Sequence, residues 1–479
     1  MAAELPPSCP QCQRLQTQLQ AQQAHLDRLQ DTIQLLQTTI ADLQEQLAHA
    51  RKDSSTSSKP PSSDIVKPSP PASTAANKRP LGGQPGHPRH QRDLFPPEMV
   101  QVINHPVGAC PDCGHGLEPV AAGPRIVQQV EILKVPLHIE EHRGLPGWCP
   151  TCQTLHYAAF PAAVQTGGLV GPRLTALIAY LKGACHASFS TIRKFLRDVA
   201  GLTITRGQLA KIINKVSKAL DTPYQELLDK LASQARLNVD ETGHRDKGER
   251  WWTWCFRADL YTLFKIDPTR SGDVLLEVLG REFNGVLGCD YFSAYRRYMR
   301  ETGTLLQFCL AHLIRDVKFL TTLPDAGERA YGERLCASLR QLFEVIHRRE
   351  EYSAAGFALL LENARDDVLR CGLSEVPAGQ HSQNVAERFR KHGEAYFQFV
   401  TTPGVEPTNN LAEQAIRFVV IDRHVTQGTR GEKGRRWCER IWTVIATCSQ
   451  QGQSVFEYLC EAVQAHFEGC AAPTLLGTK

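Results

Sequence analysis

The sequence predicts a multidomain α+β protein, and three observations support this fold class. A sustained heptad repeat near the N-terminus indicates a coiled coil. Two CxxC pairs in the middle of the chain indicate a metal-binding domain. Further along, short apolar runs with strand character alternate with helical stretches, which indicates an α/β core. The chain has 479 residues, and this length corresponds to roughly three domains rather than to one hydrophobic core.

Composition narrows the class of protein before any motif is considered. The formal net charge of +4 permits nucleic-acid binding without arguing strongly for it. No N-terminal secretory pattern is present, and no run approaches the ~18 apolar residues of a membrane span. We therefore expect a soluble, cytoplasmic protein with no membrane partner. Of its 16 cysteines, scattered ones such as Cys255, Cys289 and Cys448 are interpreted as small core residues.

Residues 1–50 carry the heptad repeat. One seam position holds Leu19, Leu26, Ile33, Ile40 and Leu47, and the other holds Leu15, Gln22, Leu29, Leu36 and Leu43. The spacing alternates between four and three residues, as a left-handed coiled coil requires. Ile at one position with Leu at the other favours a parallel homodimer. The alternative is an amphipathic helix that packs on its own domain.

Residues 51–92 form a Ser/Pro-rich linker with eight Lys or Arg and two Asp. This composition cannot bury a core, so we expect a flexible tether. A basic tether can follow DNA phosphates, and a solvated linker is the alternative interpretation.

Residues 93–160 contain both CxxC pairs, Cys110 with Cys113 and Cys149 with Cys152. Four thiolates from two such pairs can close a tetrahedral structural Zn²⁺ site. The residues between the pairs alternate like a strand, which favours a zinc-ribbon-like domain. A further pair, Cys9 and Cys12, has no second pair nearby, and whether it binds metal stays open.

Residues 161–233 have a helical period. A helix that ends at Gly201 is followed, after a short turn, by a basic helix. This outline is that of a helix-turn-helix, and other helical hairpins share it.

Residues 234–323 change to a strand-like pattern and form the first part of the predicted core. The element order is β-β-β-α-β-α-β-α, which is the order of the ribonuclease H-like fold. Asp240 follows the first apolar run, and Asp290 follows the fourth strand. A helical insertion is predicted at 324–400, the last part of the core at 401–450, and a C-terminal helical segment at 451–479.

The third predicted acid is Glu413, at the start of a helix. In the ribonuclease H-like fold, carboxylates gather at the ends of the first and fourth strands and on a later helix. Asp240, Asp290 and Glu413 supply hard oxygen ligands for two Mg²⁺ (or Mn²⁺) ions. Each acid also has a structural alternative. Asp240 is then a strand-end turn residue, Asp290 a helix N-cap, and Glu413 the capping-box acid of an N-cap at Asn410.

Other residues near these acids are secondary candidates. Cys309 and His312 form a CxxH that either supports the site or binds metal. Asn409 and Asn410 either orient phosphate or cap the helix. The candidate DNA-binding cations are Arg417, Arg423, Arg430, Lys433, Arg435 and Arg436, and a solvated basic face is the alternative. Trp251, Trp252 and Trp254 are interpreted as sheet packing rather than base-stacking residues.

Several motifs together resemble the DDE transposases of the insertion-sequence-66 family. They are "SSKPPSSD" (57–64), "GGQPGHPRHQR" (82–92), the two CxxC pairs, "VDETG" (239–243), "CDYFSAY" (289–295), "CLAHLIRD" (309–316) and "TNNLAEQAIR" (408–417). By position, Asp240, Asp290 and Glu413 match the acidic triad of that family. Gln414 stands where Arg is expected more often, and the triad itself is complete.

The resemblance implies a leucine zipper, a zinc-binding domain, a helix-turn-helix segment and a ribonuclease H-like catalytic core. It also implies metal-dependent cleavage at transposon ends and strand transfer into target DNA. The partners would be DNA, a second copy of the chain and, in some elements, accessory proteins, in a bacterial cytoplasm at the nucleoid. Two alternatives are a zinc-containing dimeric DNA-binding regulator with an inactive core, and a nuclease without strand transfer.

Overall fold

The computed structural model describes residues 10–52, 94–104, 112, 115, 126–130, 132 and 136–476, without the side chains of residues 10–13. The predictions made for most of the linker, for the thiols of the Cys9–Cys12 pair, and for Cys110 and Cys113 lie outside these residues. The chain divides into two compact units. The first comprises residues 1–68, 144–193 and 204–479, and the second comprises residues 69–143 and 194–203.

The helices and strands have the following bounds. The helices are α1 (Pro10–Ala50), α2 (Ala162–Gly167), α3 (Pro172–Gly183), α4 (Phe189–Ala200), α5 (Arg206–Ala219), α6 (Asp221–Asp229), α7 (Gly272–Leu279), α8 (Ser293–Thr302), α9 (Leu310–Leu320), α10 (Ala326–His347), α11 (Ala354–Leu373), α12 (Gln380–His392), α13 (Gln398–Thr401), α14 (Asn410–Thr426), α15 (Glu432–Gln451) and α16 (Val455–Glu468). The strands are β1 (Pro146–Cys149), β2 (Thr154–Tyr157), β3 (Arg236–Asp246), β4 (Glu249–Arg257), β5 (Thr262–Asp267), β6 (Val286–Cys289) and β7 (Leu305–Phe308).

Helix α1 is a single helix of 41 residues with an exposed apolar seam. It is rich in Gln, Leu and Ala, which have high helix propensity, and it has no internal Gly or Pro. Along the seam, Leu19 is 69% exposed and Ile33 is 53% exposed. The apolar side chains of α1 are therefore not buried by the described part of this chain.

The β1–β2 hairpin belongs to the first unit and carries Cys149 and Cys152 at its turn. The preceding stretch was predicted to alternate as a strand, and this prediction is wrong for its described residues between 126 and 143, which form no strand. Val127 is 91% exposed and Ile139 is 81% exposed. A strand needs a covered apolar face, and these two side chains lie largely open to solvent.

Helices α4 and α5 have the predicted hairpin outline. Gly201 follows α4 with a φ of +68°, a conformation that glycine adopts without strain. Thr205 then caps α5 in a reciprocal capping box with Gln208. The buried side of α5 includes Leu209 and Val216, and α5 contacts α3, α15 and α16. Helix α5 is thus part of a helical layer, and contact of the hairpin with DNA stays a prediction.

The core is a five-stranded mixed sheet with the order β5-β4-β3-β6-β7. Strands β3, β4 and β5 form an antiparallel meander, whereas β6 pairs parallel to β3 and β7 pairs parallel to β6. The order of elements along the chain, three strands followed by alternating helices and strands, agrees with the prediction. The central strand β3 therefore has an antiparallel neighbour on one side and a parallel neighbour on the other.

Helix α15 covers the outer edge of the sheet at β5. The backbone N–H of Phe264 donates to Thr443 Oγ1 at 3.1 Å, and that of Ile266 donates to Glu439 Oε1 at 2.7 Å. The N–H of Thr262 donates to Thr447 Oγ1 at 3.2 Å. Alternate strand residues thus meet helix residues four apart, because two strand residues and four helix residues span about the same distance, roughly 6–7 Å. The edge is satisfied within the chain and cannot pair with another strand.

Helices α10 to α13 occupy the region of the predicted helical insertion. The side chain of Gln307 on β7 joins the end of this region to the sheet, because it donates to the carbonyl of Tyr396 and accepts from the N–H of Phe399. No helix among the described residues is long and apolar enough to cross a membrane.

Candidate active site

Asp240 and Asp290 lie at the same level of neighbouring parallel strands. The β3–β6 register pairs Leu237 with Leu287 and Asn238 with Gly288. Continuing this register by two residues brings position 240 opposite position 290. Asp290 directly follows β6, and its Oδ1 accepts a hydrogen bond from the N–H of Phe292 at 2.9 Å. The two acids that lie 50 positions apart in the sequence are therefore neighbours at this edge of the sheet.

Two local alternatives for these aspartates are wrong. Asp240 does not end a strand, because β3 continues to Asp246 and Asp240 is paired with Cys255 of β4. Asp290 does not cap α8, whose N-cap is Phe292, without a side-chain cap bond. It closes a turn between the strand and the helix. Asp240 therefore does not end an element, and Asp290 shapes the turn before α8 without capping it.

The side chain of Asp240 faces α14. In a strand, alternate side chains share a face, so Asn238, Asp240 and Thr242 point to the same side of β3. On either side of Asp240, α14 is bound to this face. The Asn238 amide donates to Asn409 Oδ1 at 3.0 Å, and the Arg423 guanidinium donates to Thr242 Oγ1 at 3.1 Å. This clamp holds α14, which carries Glu413, against the strand that carries Asp240.

The pKa of Asp240 reflects its burial and the acids around it. Burial raises the pKa of Asp240 well above its usual range, and the neighbouring carboxylates of Glu241, Asp290 and Glu413 raise it further. One hydrogen bond acts in the opposite direction, from the N–H of Glu241 to Asp240 Oδ1 at 2.9 Å. A concentration of negative charge at a buried position destabilises the ionised carboxylates unless a cation or a proton compensates it.

Glu413 is not the acid of a capping box. The N-cap of α14 is Asn409 rather than Asn410, so Glu413 is the fourth helical residue instead of the third. The N–H of Asn409 donates to the sulfur of Cys309 at 3.1 Å. Glu413 Oε1 is buried and has no hydrogen-bond partner. The Glu413 carboxylate is therefore available for another role.

Cys309, His312 and Glu413 form a cluster in which one potential ligand atom from each residue lies within 4.8 Å of the others. His312 Nε2 is 3.7 Å from Glu413 Oε1, and Arg315 is 3.8 Å from Glu413 Oε2. Burial lowers the pKa of His312 and raises that of Cys309. Because the Cys309 sulfur already accepts the Asn409 N–H, Cys309 has a clear supporting role at the start of α14.

Asn409 differs sharply from Asn410, although the sequence offers both as candidates. Asn409 is buried, and its side-chain amide donates to the carbonyl of Val239 at 2.8 Å. Asn410 is exposed. Asn409 thus binds the residue before Asp240 while it begins the helix that carries Glu413, and Asn410 takes no part in this arrangement.

Glu241 is a buried acid that sequence reasoning missed. Its side chain is fully buried on the opposite face of β3 from Asp240. It accepts a hydrogen bond from Arg270 Nε at 2.7 Å and another from the hydroxyl of Tyr295. Burial raises the pKa of Glu241 and Asp290 raises it further, whereas Arg270 and Tyr295 oppose this shift. The sequence did contain a signal for this residue, because Glu241 lies within a strand with apolar neighbours. A carboxylate that is buried there needs a positively charged partner from elsewhere in the chain.

The three tryptophans make contacts within the chain. Trp254 is fully buried against Phe256 and Tyr295. The Arg270 guanidinium lies 4.8 Å from the Trp252 ring, and that of Arg435 lies 4.1 Å from the Trp251 ring. These contacts agree with the packing interpretation.

The six candidate DNA-binding cations fall into two groups. Three are bound within the chain: Arg423 to β3, Arg435 to the buried Asp246, and Arg436 to Glu439 at 3.0 Å. The other three are exposed and form no ion pair with a described residue: Arg417, Arg430 and Lys433. The sequence placed all six in one basic stretch, but only the second group offers unpaired charge at the surface.

The loop that carries Arg430 is bound to the end of β3. Asp246 Oδ1 accepts hydrogen bonds from the Thr429 hydroxyl at 2.7 Å and from the Gly431 N–H at 2.6 Å. Gly428 has a φ of +87°, and a Cβ there would lie 2.1 Å from the carbonyl oxygen of Arg245. A larger residue at position 428 would displace the loop, so the position of Arg430 depends on this glycine.

Cys149 and Cys152 form one half of the predicted zinc site. Hydrogen bonds from the backbone and side chain of Cys152 lower the pKa of Cys149. This effect favours the thiolate, which is the form that binds metal. Cys152 Sγ also lies 3.6 Å from His156 Nε2. The hairpin thus has the chemistry of a metal-binding knuckle, and the zinc site as a whole stays a prediction.

Comparison with known proteins adds independent information. A family model described as "Transposase IS66 family" matches residues 167–436, which is more than half of the chain. A second model, described as "Family of unknown function (DUF6444)", matches residues 5–93. The uncharacterized protein y4qI of Sinorhizobium fredii is 24% identical over 345 residues, which cover 66% of this chain and 63% of that relative. The uncharacterized protein y4jD of the same organism is 22% identical over 418 residues, which cover 80% of this chain and 79% of that relative.

Proposed function

The chain belongs to the Transposase IS66 family, and we propose that it cleaves DNA at the ends of its element and joins those ends to target DNA. One observation carries the proposal. Asp240 and Asp290 lie at the same level of two parallel strands, and α14 is clamped over Asp240 with Glu413 in its first turns. The three acids come from distant parts of the chain.

The sheet topology supports a ribonuclease H-like core. An antiparallel meander of three strands, extended on the side of its first strand by two parallel strands, is the arrangement that the fold requires. Here it is β5-β4-β3-β6-β7. Because β6 pairs parallel to β3, Asp240 within β3 and Asp290 just after β6 come level with each other.

The residues fit a divalent cation. Glu413 Oε1 is buried without a hydrogen-bond partner, and the neighbouring acids raise the pKa of Asp240. Bound Mg²⁺ or Mn²⁺ would relieve both unfavourable features, and carboxylate oxygens are the ligands that these ions prefer. Asp240, Asp290 and Glu413 would hold two ions. When bound, such a pair stabilises the attacking and leaving oxygens of a phosphodiester.

The proposed chemistry has two steps. In the first, a water oxygen bonds to the phosphorus at the element end, and the bond from phosphorus to the 3′-oxygen breaks, which leaves a 3′-hydroxyl. In the second, this 3′-oxygen bonds to a target phosphorus and displaces the 3′-oxygen of the target strand. The chain's own contribution is to hold the carboxylates. Asn409 and Cys309 position the start of α14, and Arg423 binds its other end to β3.

The exposed cations would bind the DNA backbone. Arg417 lies one helical turn beyond Glu413, and Arg430 and Lys433 lie in and just after the bound loop at the end of β3. Positive charges near the acidic centre (Asp240, Asp290 and Glu413) can bind DNA phosphates, and such contacts do not read the DNA sequence. The α4–α5 hairpin is the second candidate for DNA contact.

Dimerisation is proposed through α1. Its seam is apolar at every position except Gln22 and is exposed in the single chain. A second copy would bury this seam in a parallel coiled coil.

Structural Zn²⁺ is proposed at Cys110, Cys113, Cys149 and Cys152, and metal analysis of the Cys149→Ser protein tests that site.

The test of the catalytic proposal is cleavage of labelled DNA that carries the ends of the element. We expect Asp240→Asn, Asp290→Asn and Glu413→Gln to lose more than about 100-fold in cleavage, because even the outer partners of metal ligands contribute 10–100-fold. Binding of DNA ends and the melting curve should remain close to those of the wild type.

Three results would contradict the proposal. Normal cleavage by a well-folded Glu413→Gln protein would exclude Glu413 from the site. Binding without cleavage by the wild-type protein in Mg²⁺ and in Mn²⁺ would favour a DNA-binding regulator. Cleavage without any joined product would favour a nuclease.

A further inference from the structure

The last turns of α1 meet the start of α12 through three side chains that are all potential metal ligands. His49 Nε2 lies 3.3 Å from His381 Nε2, and His381 Nε2 lies 3.1 Å from Glu45 Oε1. One ligand atom from each residue lies within 4.8 Å of the others. This cluster, Glu45–His49–His381, shares no residue with the acidic centre or with the cysteine pairs.

The separation of the two imidazole nitrogens matches that in a tetrahedral metal site. Glu45 and His49 are four residues apart on α1, so they lie on the same face of the helix. Two imidazole nitrogens bound to one tetrahedral Zn²⁺ at 2.0–2.1 Å are separated by roughly 3.3–3.4 Å. The observed separation of the two Nε2 atoms, 3.3 Å, agrees with this value.

Neighbouring side chains hold both imidazoles in place. The rings of His49 and His381 lie 5.1 Å and 5.4 Å from the ring of Phe319. The side chain of His381 is 24% exposed and that of Glu45 is 50% exposed, so an ion from solution can reach them. The convergence of ligand atoms is therefore set by packing and remains accessible.

Hydrogen bonding alone satisfies this arrangement poorly. A neutral imidazole nitrogen either donates one proton or accepts with one lone pair. His381 Nε2 has two partners, a carboxylate oxygen and a second imidazole nitrogen. A cation, in contrast, accepts a lone pair from each of the three atoms at once.

We propose that Glu45, His49 and His381 bind a divalent transition-metal ion of the Zn²⁺ class. Two imidazoles and one carboxylate are ligands that Zn²⁺ accepts, and water would complete the tetrahedron. The ion would join α1, the dimerisation helix of the proposed function, to the helical insertion. Each imidazole would bind the ion through the lone pair of a ring nitrogen.

The experiment measures zinc per chain in the full-length protein after equilibration with buffered free Zn²⁺. The variants are His49→Gln and His381→Gln, and the matched control is His25→Gln, an exposed histidine on the same helix. We expect each of the two variants to bind one zinc fewer than the wild type, and the control to bind the same number. Circular dichroism and melting curves check that the variants are folded.

A second measurement separates this site from the cysteine site. In the protein loaded with Co²⁺, we expect His381→Gln to lose d–d absorption while the thiolate-to-cobalt charge-transfer band stays unchanged. Glu45→Gln keeps the size of the side chain, and we expect it to weaken zinc binding at least about tenfold. Equal zinc content in all proteins, or an equal loss in His25→Gln, would overturn the proposal and leave the cluster as a hydrogen-bonded contact or as adventitious surface binding.

Discussion

The side chains around the acidic centre and those along helix α1 differ in where they find their contacts. Around Asp240, several side chains find their partners inside the chain, as Asn409 does with Val239 and Arg423 does with Thr242. Along α1, the apolar seam finds no partner among the described residues, and Leu19 and Ile33 are more than half exposed. The first region is organised by packing within one chain, whereas the apolar seam of α1 is exposed in the single chain.

This difference shows how exposure can be used to separate structural from functional side chains. An arginine that joins two elements of the chain and an arginine that is exposed at the surface look alike in the sequence. In the folded chain, the first is bound and partly buried, whereas the second is exposed and unpaired. The same reasoning distinguishes Asn409 from Asn410.

The largest effect is expected where the partner is a second chain. Replacing Ile33 and Ile40 with Lys places charges in the α1 seam, and each buried ammonium costs several kcal/mol. We expect the affinity of the dimer to fall more than about 1,000-fold, or about 4 kcal/mol. Sedimentation of the full-length protein measures it, with an unchanged melting transition of the core as the control. A wild-type protein that sediments as a monomer would contradict dimerisation through α1.

The next prediction concerns the effect of pH on stability through His244, a buried histidine of β3. Burial lowers the pKa of His244 from 6.5 to about 4, and its Nε2 lies 3.0 Å from Thr429 Oγ1. Between pH 6.5 and about 4, the unfolded chain binds a proton that the folded chain does not. Stability should therefore fall as the pH is lowered through this window, with His244 contributing up to roughly 3 kcal/mol.

Urea unfolding at about pH 7 and about pH 5 measures this effect. The loss of stability on acidification should be smaller in His244→Asn than in the wild type. His424→Asn, at an exposed position on α14, is the matched control and should keep the wild-type profile. Identical profiles for all three proteins would show that His244 does not titrate in this way.

A matched pair of asparagines at the start of α14, the helix that carries Glu413, sharpens the comparison. Asn409→Ala leaves the Asn238 amide and the Val239 carbonyl without their partner, and each lost buried bond costs about 1–3 kcal/mol. We expect stability to fall by about 2 kcal/mol and cleavage to fall about 10–100-fold, because the start of α14 loses its anchor. Asn410→Ala should change either quantity little, and equal effects from the two substitutions would contradict the role assigned to Asn409.

The smallest effect is expected at the cations. Arg417→Ala should reduce the salt dependence of DNA binding by about one phosphate contact without changing stability. Arg423→Ala should instead lower stability by about 1 kcal/mol, because its bond to Thr242 is lost. Binding at several salt concentrations, together with melting curves, tests both. If Arg417→Ala alters stability and leaves the salt dependence unchanged, the division of the six cations is wrong.

Local pattern predicted a large part of the fold. The α1 helix, the meander, the order of strands and helices after it, and the helical insertion follow from periodicity and from turn residues. The family resemblance followed from short motifs, and the match over residues 167–436 confirms it. Errors arose where an element depends on a neighbour, as for the strand expected before Cys149 and for the end of β3, which continues to Asp246.

The sequence by itself determined which residues were candidates: three acids in the right order, two CxxC pairs, a seam and a basic stretch. The tertiary structure alone decided which of them meet. It brought Asp240 level with Asp290 through the β3–β6 register, and it left Glu413 Oε1 buried without a hydrogen-bond partner. It also divided the cations into bound and exposed groups. The reason is that periodicity reports the local backbone, whereas contacts between residues 50 to 170 positions apart depend on strand register and side-chain packing across the whole core.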